Sequence, residues 1–288
     1  MAESLQALVD GAMLGATYSL LGLGFTLIFG VFRRLNLAFG PTILVGVYAG
    51  SHWHLAWPGS LAGAMAVTVA GAMLAGFYVE RCCFRALVRQ APVVSMISTF
   101  AVWMQLQELV VLLAPSRTMS YPSPAWLPTL EVGPILLRSD ALLMWSGATS
   151  ITLALFGLLY KTRLGTAMRA VADSAEGAML MGINVSTMGV AAFLVASAVG
   201  GVAGGLIAAS QQQVTPYFGL WATVKGLTAM LLGGPGSLAG AVLGGLLLGV
   251  VETLTLALFG GQWRDLATYA LLFLAVAMRR TARWEDGR

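Results

Sequence analysis

The sequence predicts an all-α fold, a polytopic transmembrane helical bundle of about eight to ten membrane segments. Three observations carry the prediction. Hydrophobic residues make up 58% of the chain and charged residues only 10%, against about 25% charged in a soluble domain. Nine apolar runs of spanning or near-spanning length follow one another, at about 5–31, 41–57, 61–79, 91–114, 141–160, 187–209, 220–233, 237–259 and 265–279. Glycine, 35 residues in all, recurs at four-residue spacing within and beside several of them, the spacing that lets helix backbones approach closely in lipid. A soluble domain this apolar would lack a polar coat, so that class is excluded.

Taken in order, the first run has no Lys or Arg ahead of it and is long enough to span, so it reads as an uncleaved membrane helix rather than a signal peptide. Asn36 follows at an apparent helix end, where capping or water contact accounts for it. The run 41–57 is short for a span of about 20 residues, and so is 220–233. Both are short enough to be half-helices or re-entrant segments buried in the bundle. His52 and His54 lie beside Trp53 and Trp57, as interfacial residues do, and with no further His or Cys nearby they predict no metal site. Run 61–79 leads to Cys82 and Cys83, flanked by Arg81 and Arg85. Adjacent cysteines rarely close a relaxed disulfide, so these read as reduced thiols at a helix end.

Run 91–114 carries Gln105, Gln107 and Glu108, and run 237–259 carries Glu252. Polar groups at membrane depth are costly and usually face a bundle interior, which makes them candidates for a pathway; interhelical hydrogen bonding is the alternative. For Glu252, pairing with Arg264 competes with substrate contact. The connection 115–140 holds five prolines, which exclude regular helix or central strand over most of its length. It reads as an external loop, either a plain connector or a cover for the bundle mouth. After the uncharged stretch 141–160 comes a polar segment, Lys161 to Asn184, with Lys161, Arg163, Arg169, Asp173 and Glu176. Apolar residues and charges at helical spacing predict a short amphipathic helix outside the bilayer, offered to a partner.

Gly200/Gly204 and Gly201/Gly205 lie in run 187–209, and Gly236, Gly240 and Gly244 form a ladder at the start of run 237–259, with Gly245 and Gly249 behind it. These are expected to be helix-packing glycines, either static or allowing helices to slide. With the N-terminus outside and nine crossings, the inner side holds twelve of the sixteen Lys and Arg residues, among them Arg33, Arg34, Arg81, Arg85 and Arg89, the polar segment, and the tail with Arg279, Arg280, Arg283 and Arg288. Arg117, Arg138 and Arg264 fall outside, and Lys225 lies within a helix. No catalytic residue set and no metal-ligand cluster is evident. The run LLGGPGSLAG has glycines but no lysine after them, so it is no phosphate loop. A pump built on this chain needs an ion gradient or another subunit, and two intramembrane acids are few for ion coupling.

The segments GATYSLLGLGFTLIFG (15–30), NLAFG (36–40), GTAMRAVADSAEGAMLMGIN (165–184), TPYFGLWATVKGLTAMLLGGPGSLAGAVLGGLLLGVVE (215–252) and WRDLATYALL (263–272) give the chain a resemblance, over nearly its whole length, to the membrane subunit of bacterial branched-chain amino acid ABC importers. The resemblance implies one transmembrane permease domain over 1–288, with an external loop 115–140 and a cytoplasmic coupling loop 161–186. In that family the loop docks on an ATP-binding subunit. Carried over here, Gly165, Arg169, Ala170, Asp173, Ala178, Gly182, Ile183 and Asn184 match the pattern. Met168, Met179 and Leu180 are expected to insert into the ATPase, with Arg169 and Asp173 fixing the pose.

The resemblance further implies a bacterial inner-membrane protein with its C-terminus in the cytoplasm. Its partners would be ABC ATPase subunits, a second homologous permease, a periplasmic substrate-binding protein and membrane lipid, and no nucleic acid. The chain binds no cofactor; ATP and magnesium belong to the ATPase subunits. The translocation-pathway candidates are Asn36, Phe39, Gln105, Gln107, Glu108, Tyr217 and Glu252. Where the family commonly reads N-F-A-H-G-E, this chain has Phe39 and Pro41 in place of the His and Glu, which bears on the substrate rather than the transporter class. Urea or short amides are the alternative substrates. An ion-coupled secondary transporter or channel is the alternative of another class.

Overall fold

Long apolar stretches in lipid have no water to bond their backbone groups, so they close those bonds internally as helices. The computed structural model describes residues 2–87, 90–114, 118–123, 130–132, 135–137 and 139–285. Within them each of the nine apolar runs lies on one helix: α1 (Ala2–Phe32), α2 (Phe39–Ala56), α3 (Leu61–Val79, prolonged by a π-helical turn Glu80–Arg85), α4 (Pro92–Leu113), α5 (Ser139–Lys161), α8 (Val185–Gln211), α9 (Phe218–Gly233), α10 (Leu238–Phe259) and α11 (Arg264–Glu285). The polar segment between α5 and α8 forms two short helices, α6 (Arg163–Asp173) and α7 (Ala175–Leu180).

Six of these helices are long and apolar enough to cross a membrane: α1, α3, α4, α5, α8 and α10. α9 has 16 residues, about 24 Å at 1.5 Å per residue, short of a hydrocarbon core of about 30 Å. α2 ends in the polar His52–Trp53–His54, and α11 closes on Arg279, Arg280, Arg283 and Glu285, which keeps both out of the six.

α1 is the central helix, packed on α5, α8, α9 and α10. Its contact with α10 is a glycine seam: a Cβ added at Gly249 would lie 2.4 Å from Gly15 Cα, and one at Gly15 2.8 Å from Leu246 Cα. No side chain fits there, and the helices gain dispersion contact between backbones in its place. α8 uses glycine on two faces. Gly200 and Gly204 receive Phe39, Ile43 and Val47 of α2, while Gly201 and Gly205 receive Val69 and Met65 of α3. In the α10 ladder, Gly240 meets Gly233 and Gly244 meets Ala229, both on α9. Gly236 differs from the expectation. It lies in the α9–α10 turn at φ +88° with no atom within 4 Å of an added Cβ, so it serves backbone geometry, not packing.

At one end of the bundle, Arg34 donates to Leu87 O at 3.0 Å and Gln90 O at 2.8 Å and also bonds Ser95, which ties the α1–α2 corner to α4. At the other end, a two-residue strand β1 (Met119–Ser120) pairs antiparallel with β4 (Gln213–Val214), and β2 (Leu130–Val132) pairs with β3 (Ile135–Leu137). These strands are the only regular structure among the described residues of 115–138, as five prolines require. Tyr121 anchors the loop: its hydroxyl lies 2.8 Å from Thr68 Oγ1 of α3, and burial pushes the phenol up to about 12. Arg89, Arg117, Arg138 and Arg288 of the orientation reading lie outside the described residues.

Candidate functional site

Two regions concentrate polar side chains. The first is buried. Lys225 stands on the otherwise apolar α9 and is 1% exposed, as is Glu252 of α10. A lone charge at such a site costs several kcal/mol (about 3–5 on removal of its partner), and the surroundings explain why it is tolerated. Lys225 Nζ donates to Glu252 Oε2 at 2.7 Å and to Thr268 Oγ1 of α11 at 2.6 Å, and lies 3.6 Å from Asp265 Oδ1. The other Glu252 oxygen accepts from the Tyr18 hydroxyl of α1 at 3.0 Å and from Arg264. Two cations face two carboxylates, so the cluster is neutral as a set, and the ammonium makes two hydrogen bonds and one longer ion pair. The Tyr18 and Trp221 rings wall the ammonium at 5.8 and 5.9 Å. Four helices, α1, α9, α10 and α11, thus meet on one carboxylate. Beside it lies a cavity of about 180 Å³ lined by Tyr217, Trp221, Lys225, Asp265, Thr268 and Tyr269, among others.

The sequence left Glu252 between pairing with Arg264 and substrate contact, and the pair is present; it did not bring Lys225, Tyr18, Thr268 or Asp265 to it. The available signal was a single lysine in an apolar helix and a single glutamate in another, which demand each other on solvation grounds alone.

The second region is the α6–α7 segment at the far end of α10. Side chains cap each helix: Thr162 accepts from Gly165 N at 3.1 Å, Ser174 from Gly177 N at 3.1 Å, and Asn184 from Thr187 N at 3.1 Å, opening α8. Gly182, at φ +80°, makes the turn between α7 and α8. α6 is strongly amphipathic, and its buried residues, Gly165, Met168 and Val171, face inward. Met168 is only 2% exposed, which corrects the expectation that it reaches a partner. Its place at i+3 from Gly165 sets it on the face that leans against α5. Arg169 is half-buried, with its guanidinium 4.8 Å over the ring of Tyr160 in its own chain. Ala170 and Ile183 are intermediate, Ala178 is buried and Asp173 is exposed. The outward apolar surface is the end of α7, where Met179, Leu180 and Met181 are 56%, 90% and 81% exposed.

The pathway candidates do not converge. Phe39 is fully buried and packs edge-on against Phe25, with ring centroids 4.8 Å apart. Asn36 turns its Oδ1 to Ala38 N at 3.0 Å. Gln105 and Glu108 are exposed on the outer face of α4, which corrects the expectation of an inward pair. The inward face of α4 is Ser95, Thr99, Val102, Leu106 and Val110, so the two polar residues fall on the other side of the 3.6-residue period. Gln105 accepts from Tyr78 and Gln107 from Trp103. Tyr217 is exposed at the mouth of the cavity beside Lys225.

Comparison with known proteins adds to this geometry. The family described as the branched-chain amino acid transport system permease component matches residues 7–276. The high-affinity branched-chain amino acid transport system permease protein LivH of Escherichia coli K12 is 30% identical over 294 residues, covering 96% of this chain and 94% of that protein. BraD of Pseudomonas aeruginosa, a permease protein of the same description, is 31% identical over 295 residues with the same coverage. Among solved structures, a candidate metal-chelate type ABC transporter in an inward-facing conformation shares the fold at 14% identity, with a TM-score of 0.52 over 97% of this chain and 86% of that one.

Proposed function

Because this chain belongs to the branched-chain amino acid transport permease family, we propose that it is the membrane subunit of an ABC importer moving branched-chain amino acids, driven by ATP and magnesium on separate ATPase subunits. The observation that carries the reading is the α7 tip. At the end of a six-residue helix on a charged segment, Leu180 and the following Met181 stand almost wholly in solvent, and apolar side chains displayed this way gain free energy once a partner covers them. The ATPase subunit is that partner, and a second permease and a periplasmic binding protein complete the importer in the bacterial inner membrane. Arg33, Arg34, Arg81, Arg85, Lys161 and Arg163 accompany the tip at one end of the bundle, which supports placing that end, with the C-terminus, in the cytoplasm and the N-terminus outside.

The test is purification of the tagged chain from its native membrane followed by uptake in proteoliposomes. An ATPase subunit should co-purify, and uptake of leucine, isoleucine or valine should require ATP, magnesium and the binding protein. Uptake by the chain alone under an ion gradient would refute the ABC reading. ATP-driven uptake of urea with none of leucine would refute the substrate.

A further inference from the structure

The buried face of α6 meets the bundle while the tip of α7 stands in solvent, and the inward face of α6 includes an unsatisfied polar atom. α6 lies hard on the bundle: a Cβ at Gly165 would be 2.2 Å from Leu158 O and 2.4 Å from Leu159 Cα of α5, and Arg33, just after α1, donates to Ala172 O at 3.3 Å. Arg169, stacked on Tyr160, lines a cavity of about 80 Å³ together with Thr26 and Gly30 of α1, Gly236 of the α9–α10 turn and Leu238 at the start of α10. Arg169 Nε is buried and has no hydrogen-bond partner; Thr26, only 1% exposed, has a hydroxyl in the same condition. At Gly30 and Gly236 an added Cβ would meet nothing within 4 Å, so these glycines leave room beside the two polar groups.

We propose that Arg169 is a positioning residue acting within the chain rather than a docking contact: it carries displacement of the α6–α7 segment onto Thr26 of α1 and the α9–α10 turn. The inference rests on the α7 tip being the surface that meets the ATPase. Buried polar groups are normally paired, and leaving them unpaired is costly. In the present arrangement both groups bear that cost. A shift of α6 toward α1 that closes the cavity brings the Arg169 N–H to the Thr26 hydroxyl, so the second position gains a bond that the first lacks. An element with two such positions, one of which a partner favours, is what mechanical coupling requires.

The experiment uses the assembled importer in proteoliposomes and reads two quantities: ATPase subunit recovered with the tagged permease, and substrate taken up per ATP hydrolysed. Arg169→Gln and Thr26→Val should keep recovery within about twofold of wild type while uptake per ATP falls at least tenfold; Thr26→Ser, which keeps the hydroxyl, should restore coupling. Gly30→Ile, which fills the cavity, should uncouple likewise. Loss of ATPase recovery in Arg169→Gln, with its melting temperature unchanged, would make Arg169 a docking residue and overturn the inference. Full coupling in Thr26→Val would overturn it too. Wild-type chain that recovers no ATPase subunit removes the proposed function and this inference with it, whereas Leu180→Asp that still recovers it removes the α7 docking premise and this inference but leaves the ABC reading standing.

Discussion

The two polar regions, about 21 Å apart along α10 at 1.5 Å per residue, solve opposite problems. The Lys225–Glu252–Arg264 cluster satisfies both Glu252 carboxylate oxygens and pairs the Lys225 ammonium within the chain. With its carboxylate saturated in this way, the cluster holds four helices in one register. The α6–α7 segment is the reverse: capped and helical, yet it ends in three exposed apolar side chains and rests on two unpaired polar atoms. A saturated network resists change, while an unsaturated surface invites a partner. One molecule thus holds a rigid joint toward one end and a responsive one at the other.

The strongest way to break this contrast is to remove the shared acceptor. Glu252→Ala strands Lys225 and Arg264 together and should cost about 3–5 kcal/mol, read as a fall in melting temperature in detergent. The double change Lys225→Met with Glu252→Leu should lie closer to wild type than either single change, since Arg264, 34% exposed, can still reach water. If the double variant is the sum of the two singles, the cluster is not one unit.

At the responsive end the stability effect should vanish and the binding effect appear. Leu180→Asp and Met181→Asp should leave the melting temperature unchanged but weaken ATPase capture by about 2 kcal/mol each, roughly 30-fold. A stability loss at these positions would show that they pack within the chain. Between the two regions, Gly249→Val should force α1 and α10 apart and cost about 1–3 kcal/mol, again read thermally. The smallest effect is expected at Gly182→Ala, where a side chain at φ +80° costs about 1 kcal/mol and should lower transport in proportion to the population of correctly turned α7.

Much of this was legible from one-dimensional chemistry. Nine apolar runs became nine helices because hydrocarbon allows an isolated apolar segment no other way to bond its backbone. The amphipathic break at Lys161–Asn184 became α6 and α7 because Thr162, Ser174 and Asn184 are capping residues at the right places. Facing directions were less legible. Gln105 and Glu108 looked inward by cost alone, yet a helix at the rim of a bundle buries only a narrow stripe, and here Ser95 and Thr99 take it, with Arg34 and Leu37 N as their partners.

By itself, then, the sequence determined the class, the helices, the capped segment and the small residues of the α1–α10 seam, because composition, period and local hydrogen bonding act within a few residues. Only the tertiary structure decided which charges share a carboxylate, that Phe39 is core, that Gly236 serves a turn, and that Met168 and Arg169 turn inward while Leu180 and Met181 turn out. Those outcomes depend on which helices become neighbours across 27 residues (Lys225 to Glu252) or 234 (Tyr18 to Glu252), and no local pattern encodes the pairing.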